Sequence, residues 1–543
     1  MTKVTSPISF LNNCLLNICA FVHYFLASIV QFLKFNKFYC IVTAFIILIS
    51  FGMRIFWFSF GFDTEKMIYD YGGFLHQWIT EQRYGLVLIK KVFFANGFNL
   101  YLETILAYIT LFFTSVVLGV ITKQVSGIKN GDKRLLIIPV LFLAHPIAAE
   151  LFSFSLQSFE CILGVLIVML SVYMTYKRFD QKYLIVYLFI SSLMLAFAFT
   201  IYQSLIPFSI AFFAYTALLD VNKLDIKKRF WKFTIVSFSI FIGSFILTRI
   251  LPYIYSYVRI GTNALAHSTY LDSQIDWGKR DVINIILNIK NSVKQDILSY
   301  PLDVGNVYHS VLPILLLIIA TSLIIKNRKN ILEKITALAT VYISPFMLTI
   351  LLGHSPALRA EYPTSLFVST AIAMFIFIEI KNTRYKVINF VLIIVIGFFG
   401  YWQIINTSNL FYLDYLKFRY EEKQTEQIIN RINDLEIDDY TNYSLAVVGG
   451  KYKSPTNYIR EYYKDTDMLL LSHFESDNGI GYYGTTQWLN RLFIVNGYNF
   501  KLIDQELNNE LNLIYSHNMS TWPQKNSIVV DGEHRAVILK LGN

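Results

Sequence analysis

Charge is scarce in this sequence. Only 15% of its 543 residues are Asp, Glu, Lys or Arg, where a soluble globular chain carries roughly 25%. An ordinary soluble domain is excluded for most of the length. Cysteine is scarce too, and Cys14, Cys19, Cys40 and Cys161 all lie in apolar runs. There is no CxxC and no Cys/His pair at zinc spacing, so neither a disulfide framework nor a structural zinc site is expected, and the cysteines read as small packing residues. No Gly-rich phosphate loop opens a helix, which leaves nucleotide binding unsupported. The apolar stretch Ile8 to Leu33 is followed by Lys34 and Lys37 rather than by a small-residue cleavage site, which argues against a removed secretory signal.

Apolar length is abundant. Hydrophobic residues make up 55% of the chain, and the mean hydropathy is +0.47. Apolar runs long enough for transmembrane helices recur. The sequence predicts a polytopic α-helical membrane protein with about 11 transmembrane helices, the first at Phe38 to Phe60 and the last at Val387 to Ile405. The formal net charge of +10 comes from Lys and Arg in the short loops, such as Lys123, Lys129, Lys133 and Arg134, or Lys223, Lys227, Lys228 and Arg229. That pattern reports orientation, with those loops cytoplasmic, and not a nucleic-acid partner.

Three regions follow. Residues 1–37 form a cytoplasmic or interfacial segment, with a further transmembrane helix as the alternative. Residues 38–406 form the membrane body, with external loops at 61–98 and 252–308. Residues 407–543 form a small extracytoplasmic α/β domain. There SLAVVGG reads as a strand, and SIVVDGEHRAVILKL reads as a hairpin because Asp-Gly separates two β-branched runs. The protein is expected in the cell membrane with its site and C-terminus outside.

The chemistry is expected between Phe62 and Tyr84, where Asp63, Glu65, Asp70, Glu81 and Arg83 crowd one polar interval after the first span. Carboxylates at a membrane boundary serve as general bases, hold a cation such as Mg²⁺ or Mn²⁺, or are merely solvated. No full oxygen-ligand set for a metal is legible. His145, Glu150, Tyr202, Gln203 and Arg359 map to the same outer helix ends, and ionisable groups near membrane depth usually face a cavity. Trp78 reads as an interfacial anchor or a sugar-stacking platform. Lys90 and Lys91 read as lipid-phosphate contacts or as snorkelling side chains.

The order FDTEK, then W-x4-RYG-LVL-x-KK over Trp78 to Lys91, resembles the first external loop of bacterial and phage glucosyltransferases of the O-antigen-conversion type, glucosyltransferase family II. The HP…E segment at His145 to Glu150, the Tyr202-Gln203 turn, P-x2-R at Pro356 to Arg359, the helix NLFYLDYLKFRYEEKQTEQIINRI and the ending WPQKNSIVVDGEHRAVILKL follow in that family's order. The resemblance implies an enzyme of the C-type glycosyltransferase fold. It would move a sugar, glucose in that family, from a polyprenyl-phosphate carrier to a cell-surface glycan such as O-antigen or teichoic acid, with inversion. A flippase and a polyprenyl-phosphate glucosyl synthase are its implied partners. Asp63 would be the base, with Glu65 next. Arg83 and Arg359 would meet the lipid phosphate, and Trp78, Asp70, Glu150, Tyr202, Gln203 and His145 would line the substrate site. One departure is that many members carry paired aspartates where this chain has Asp63-Thr64-Glu65. Two other classes stay open: a lipid-linked sugar flippase or transporter, for which related halves and broken helices would be typical, and a non-catalytic scaffold, which would not need Asp63 or Arg359.

Overall fold

The structure, a computed structural model, describes residues 7–95, 97–181, 184–221, 226–259, 274–298, 307–380, 386–435, 437, 439–449, 452, 463, 466, 469–475 and 482–542. Of the expected long loop 252–308, residues 260–273 and 299–306 lie outside the described residues. Its described part includes the helix Val282–Leu298.

Among the described residues, nine helices are long and apolar enough to cross a membrane, or ten if one bent pair counts as a single span. The expectation was about eleven, and the difference has a physical origin. Leu205–Asp220 and Leu312–Lys326 are apolar but have only 16 and 15 residues. At 1.5 Å per residue they reach about 24 Å, short of a hydrocarbon core about 30 Å thick. Conversely, Leu16–Phe35, read above as interfacial, is long enough to cross. It lies along the bundle through Phe25 on Tyr173 and Phe32 on Tyr39, at ring separations of 5.2 Å each.

The bent pair is Lys133–Leu143 with Ile147–Ser153, turned by 56°. Pro139 opens a π-helical turn, Pro139–Leu143, and Pro146 precedes the second piece. Proline removes a backbone donor and crowds the preceding turn, which is why the helix breaks here. The break carries His145 to a helix end rather than a helix face.

Contacts gather the Lys- and Arg-rich loops at one end of the bundle. There Arg134 donates to Phe377 O, Asn330 donates to Val221 O, and Lys334 pairs with Glu379 at 2.8 Å. The opposite end gathers around the loop after the first span. The helix Thr364–Glu379 runs through the middle, and nearly all of its side chains are buried. A helix that is apolar all round belongs in such a position.

The last helix, Lys386–Asn433, has 48 residues, about 72 Å at the α-helical rise. A bilayer core uses less than half of that, and the rest projects beyond the bundle without a break at 406–407. Its projecting part carries Phe418, Ile428, Ile429 and Ile432 into a second core. That core is one face of a three-stranded sheet of β1 (Ser444–Gly449), β2 (Ile528–Asp531) and β3 (Ala536–Gly542), in the order β1-β3-β2. β3 is parallel to β1 and antiparallel to β2. Side chains alternate across a strand. Val537, Leu539 and Leu541 therefore face the long helix, while Ala536 and Ile538 face Leu511 of the helix Gln505–Tyr515. The expected strand and hairpin are both present. The hairpin connection has four residues, 532–535, organised by Asp531 accepting from His534 N at 2.9 Å. Gly449 closes β1 at φ +92°, where a Cβ would meet Gly542 O at 2.2 Å.

Two buried ionic networks tie the bundle together. Lys90 is fully buried, at 2.7 Å from Glu103 and 2.9 Å from Glu160. It therefore neither snorkels nor meets lipid phosphate, because two carboxylates from neighbouring helices claim it. Breaking a buried ion pair by removing one partner costs about 3–5 kcal/mol, since the other charge stays buried. Lys90→Met is expected to lower thermal stability in detergent sharply and to reduce the folded protein recovered from membranes. A melting curve matching wild type would refute this.

The second network joins the first span to the long helix. Arg54 and Lys417 both pair with Asp414, at 3.5 and 3.0 Å. Ser59 donates to the same carboxylate at 2.7 Å, and Lys417 donates to Leu469 O at 2.9 Å. This network fixes the start of the 61–98 loop against the projecting helix and the C-terminal domain.

Candidate active site

The first span, Lys37–Phe56, ends in extended backbone at Trp57. The chain then turns into a short helix, Thr64–Tyr69, whose N-cap is Asp63 at φ 67°, ψ −17°. Asp visits the left-handed region more readily than most residues. An Asp at this position normally accepts from the first-turn amides. Asp63 makes no such cap bond. Its carboxylate instead lies 3.6 Å from the Arg491 guanidinium, and its side chain is 34% exposed. The side chain favoured for capping is thus left available for another task. Burial, then the neighbouring Glu65, pushes the Asp63 carboxyl up to about 6, with Arg491, Arg359 and Lys66 acting in the opposite direction.

Glu65 is different. It is fully buried and accepts from Asp63 N at 3.3 Å. Its other oxygen lies 3.7 Å from His473 Nε2. His473 Nδ1 is 2.9 Å from Glu421, and Glu421 also accepts from His473 N at 2.9 Å. Burial works against a charged imidazole, but Glu421 and Glu65 outweigh it and push His473 up to about 9. The ring is held between two acids that favour its protonated form, and it packs on Phe62 at 4.6 Å. Two carboxylates two residues apart thus have different surroundings, one partly open and one locked.

Two arginines complete the surroundings. Arg83 donates to Gln157 Oε1 at 3.0 Å and lies 3.4 Å from Glu81. Arg359 stacks over Phe154 at 5.0 Å. Burial and Cys161 raise the Tyr202 phenol, and both Arg359 and Arg83 oppose that rise. Asp63, Glu65, Arg83, Arg359 and Tyr202 therefore form one electrostatic neighbourhood.

Residues 55–378 match the family described as Glucosyl transferase GtrII. The chain belongs to that family. It is accordingly a transferase, and its many long apolar helices make it a multi-pass membrane protein. No curated protein and no solved structure matches the chain. The matched stretch covers Asp63, Glu65, Arg83, Tyr202 and Arg359, but Glu421, His473 and Arg491 lie beyond it.

The other expected residues of this GtrII family member have surroundings of their own. Trp78 is 2% exposed and edge-on to Phe74 at 4.9 Å, within the core. Asp70 caps the helix Tyr71–Thr80 by accepting from Gly73 N at 3.1 Å. Glu150 accepts from Tyr308 at 2.6 Å and from Leu469 N at 3.3 Å, joining the broken helix to the C-terminal domain. Gln203 is exposed beside buried Tyr202. His145 lines a cavity with Asp296, Tyr308, His309 and Glu361, the last from the same turn as Arg359. Burial and Glu361 push Asp296 up to about 6, against the pull of His309.

Among the described residues no group of three or more His, Cys, Asp or Glu is arranged to hold a metal ion. Asp63 and Glu65 lack a third oxygen ligand there, and Glu65 already faces the His473 imidazole at 3.7 Å. The residue pair does not fit Mg²⁺ or Mn²⁺, and no step is assigned to either. The sequence reading missed Glu421, His473 and Arg491. Glu421 lies in the quoted segment NLFYLDYLKFRYEEKQTEQIINRI but without a role there, and His473 and Arg491 belong to a region read as a separate domain.

Proposed function

We propose that this chain transfers a hexose, glucose for a member of this family, from a polyprenyl-phosphate carrier onto a cell-surface glycan at the outer face of the membrane. The bundle is the C-type glycosyltransferase body, and the Lys- and Arg-rich end faces the cytoplasm. The observation that carries the reading is Asp63: a helix-capping residue that does not cap, partly open, and surrounded by arginines at the bundle end opposite the basic loops.

The chemistry follows from the groups present. A lipid-linked donor places its phosphate at the membrane boundary, its tail along the helices and its sugar toward the open end. An acceptor hydroxyl oxygen attacks the anomeric carbon as Asp63 takes its proton. The new C–O bond forms as the bond from that carbon to the phosphate oxygen breaks, and the electron pair leaves with the phosphate. Arg359 and Arg83 stabilise that growing charge, since guanidinium binds phosphate through two parallel donors. A single displacement inverts the anomeric centre.

The test uses membranes from cells with and without the chain, supplied with acceptor glycan and either labelled polyprenyl-phosphate-glucose or labelled nucleotide-glucose, in the absence of polyprenyl-phosphate glucosyl synthase. Label is expected in glycan only with the chain and only from the lipid donor. Transfer from the nucleotide donor alone, or no transfer while labelled lipid moves across vesicle membranes, would overturn the proposal.

A further inference from the structure

We infer that the C-terminal domain supplies part of the active site, with Arg491 as the positioning residue paired with the Asp63 carboxylate. The inference rests on the function proposed above and adds a residue from outside the matched stretch 55–378.

The geometry is direct. Arg491 lies on the helix Tyr482–Val495, which packs across the short helix begun by Asp63. Its guanidinium is 3.6 Å from Asp63 Oδ1. It stacks over Trp488 of its own helix at 4.7 Å. Trp488 in turn meets Phe62, the residue before Asp63, edge-on at 4.7 Å. The phenol of Tyr69, at the far end of the short helix, interacts with the same guanidinium. Arg491 is thus clamped by an aromatic ring and aimed at one carboxylate, whose N-cap position lacks the usual amide partner. His473, from the segment preceding this helix, meets Glu65. Each of the two carboxylates therefore faces a cation from the C-terminal domain.

Among the described residues the charged groups facing Asp63 are Glu65 and Lys66 on its own helix, Arg359 from the 3₁₀ turn Leu358–Glu361, and Arg491. Glu65 opposes ionisation and the three cations favour it. A base must be ionised to accept a proton, so activity should rise as pH climbs through the Asp63 titration. Removing Arg491 should move that rise to higher pH.

The test compares wild type, Arg491→Gln and Arg491→Lys over pH 5 to 8. The first readout is transfer from labelled polyprenyl-phosphate-glucose. The second needs no activity: carbodiimide labels protonated carboxyls, so the pH midpoint of Asp63 labelling can be followed by peptide mass spectrometry. Arg491→Gln is expected to raise both midpoints by about one pH unit. That cuts transfer roughly tenfold below the wild-type midpoint and leaves transfer near pH 8 within about twofold. Arg491→Lys should keep the midpoint near wild type. If Arg491→Gln does not accumulate, Trp488→Phe loosens the clamp while keeping an apolar ring, and must shift the labelling midpoint in the same direction. An unmoved labelling midpoint, or an equal loss of transfer at every pH, overturns the inference. Should wild type transfer nothing while the midpoint still shifts, the Arg491–Asp63 coupling stands and the transferase reading falls.

Discussion

Asp63→Asn is expected to remove transfer while leaving protein level and membrane insertion unchanged. Asparagine has the same shape and tolerates the same left-handed backbone, so the φ of 67° adds no strain. Asp63 makes no cap bond to lose, and its side chain is partly open. The substitution deletes the capacity to accept a proton and the charge that faces Arg491. Such a loss is worth about 100- to 10,000-fold in rate. Labelled transfer from polyprenyl-phosphate-glucose, normalised to protein level, reads it. Full activity would remove Asp63 as base. Glu65→Gln is a different experiment, because Glu65 is fully buried beside His473 and its loss disturbs the packing of the C-terminal domain.

Arg359→Ala is the second large effect. Its guanidinium rests on Phe154 and acts on both Asp63 and Tyr202. A cation aimed at developing charge is worth about 100- to 1,000-fold. The loss should fall on kcat and on donor use together, and the KM for acceptor should move little. Arg359→Lys should recover only part, since an ammonium offers neither the planar fork nor the stacking surface. Donor saturation curves for the three proteins decide it. An unchanged dependence on lipid donor in Arg359→Ala would free Arg359 from this role.

The membrane character was legible because it is local. Long apolar runs and the placement of Lys and Arg between them require no knowledge of what packs where. The sheet was legible for the same reason, through SLAVVGG and the Asp-Gly turn. The polar loop after the first span could be singled out from its carboxylates alone. The separate roles of those carboxylates could not. Asp63 and Glu65 differ by two positions in sequence, yet one meets Arg491 and the other His473. Those cations lie more than 400 residues downstream. Lys90 shows the converse. Beside Lys91 it reads as a lipid-phosphate contact or a snorkelling side chain, but the fold buries Lys90 between Glu103 and Glu160, which lie on two other helices.

By itself, then, the sequence determined a helical membrane body, a small α/β region after its last span, and a carboxylate-rich loop after its first span. Periodicity, apolar length and turn chemistry are short-range properties, and they survive in a chain read one window at a time. Only the tertiary structure decided that the C-terminal region folds back against the short helix that Asp63 begins. The cause is a helix of 48 residues, too long for the bilayer, whose excess length carries Asp414 and Lys417 against Arg54, and Glu421 against His473. Long-range electrostatics of that kind depends on distances in space, and distances in space are what separation along the chain conceals.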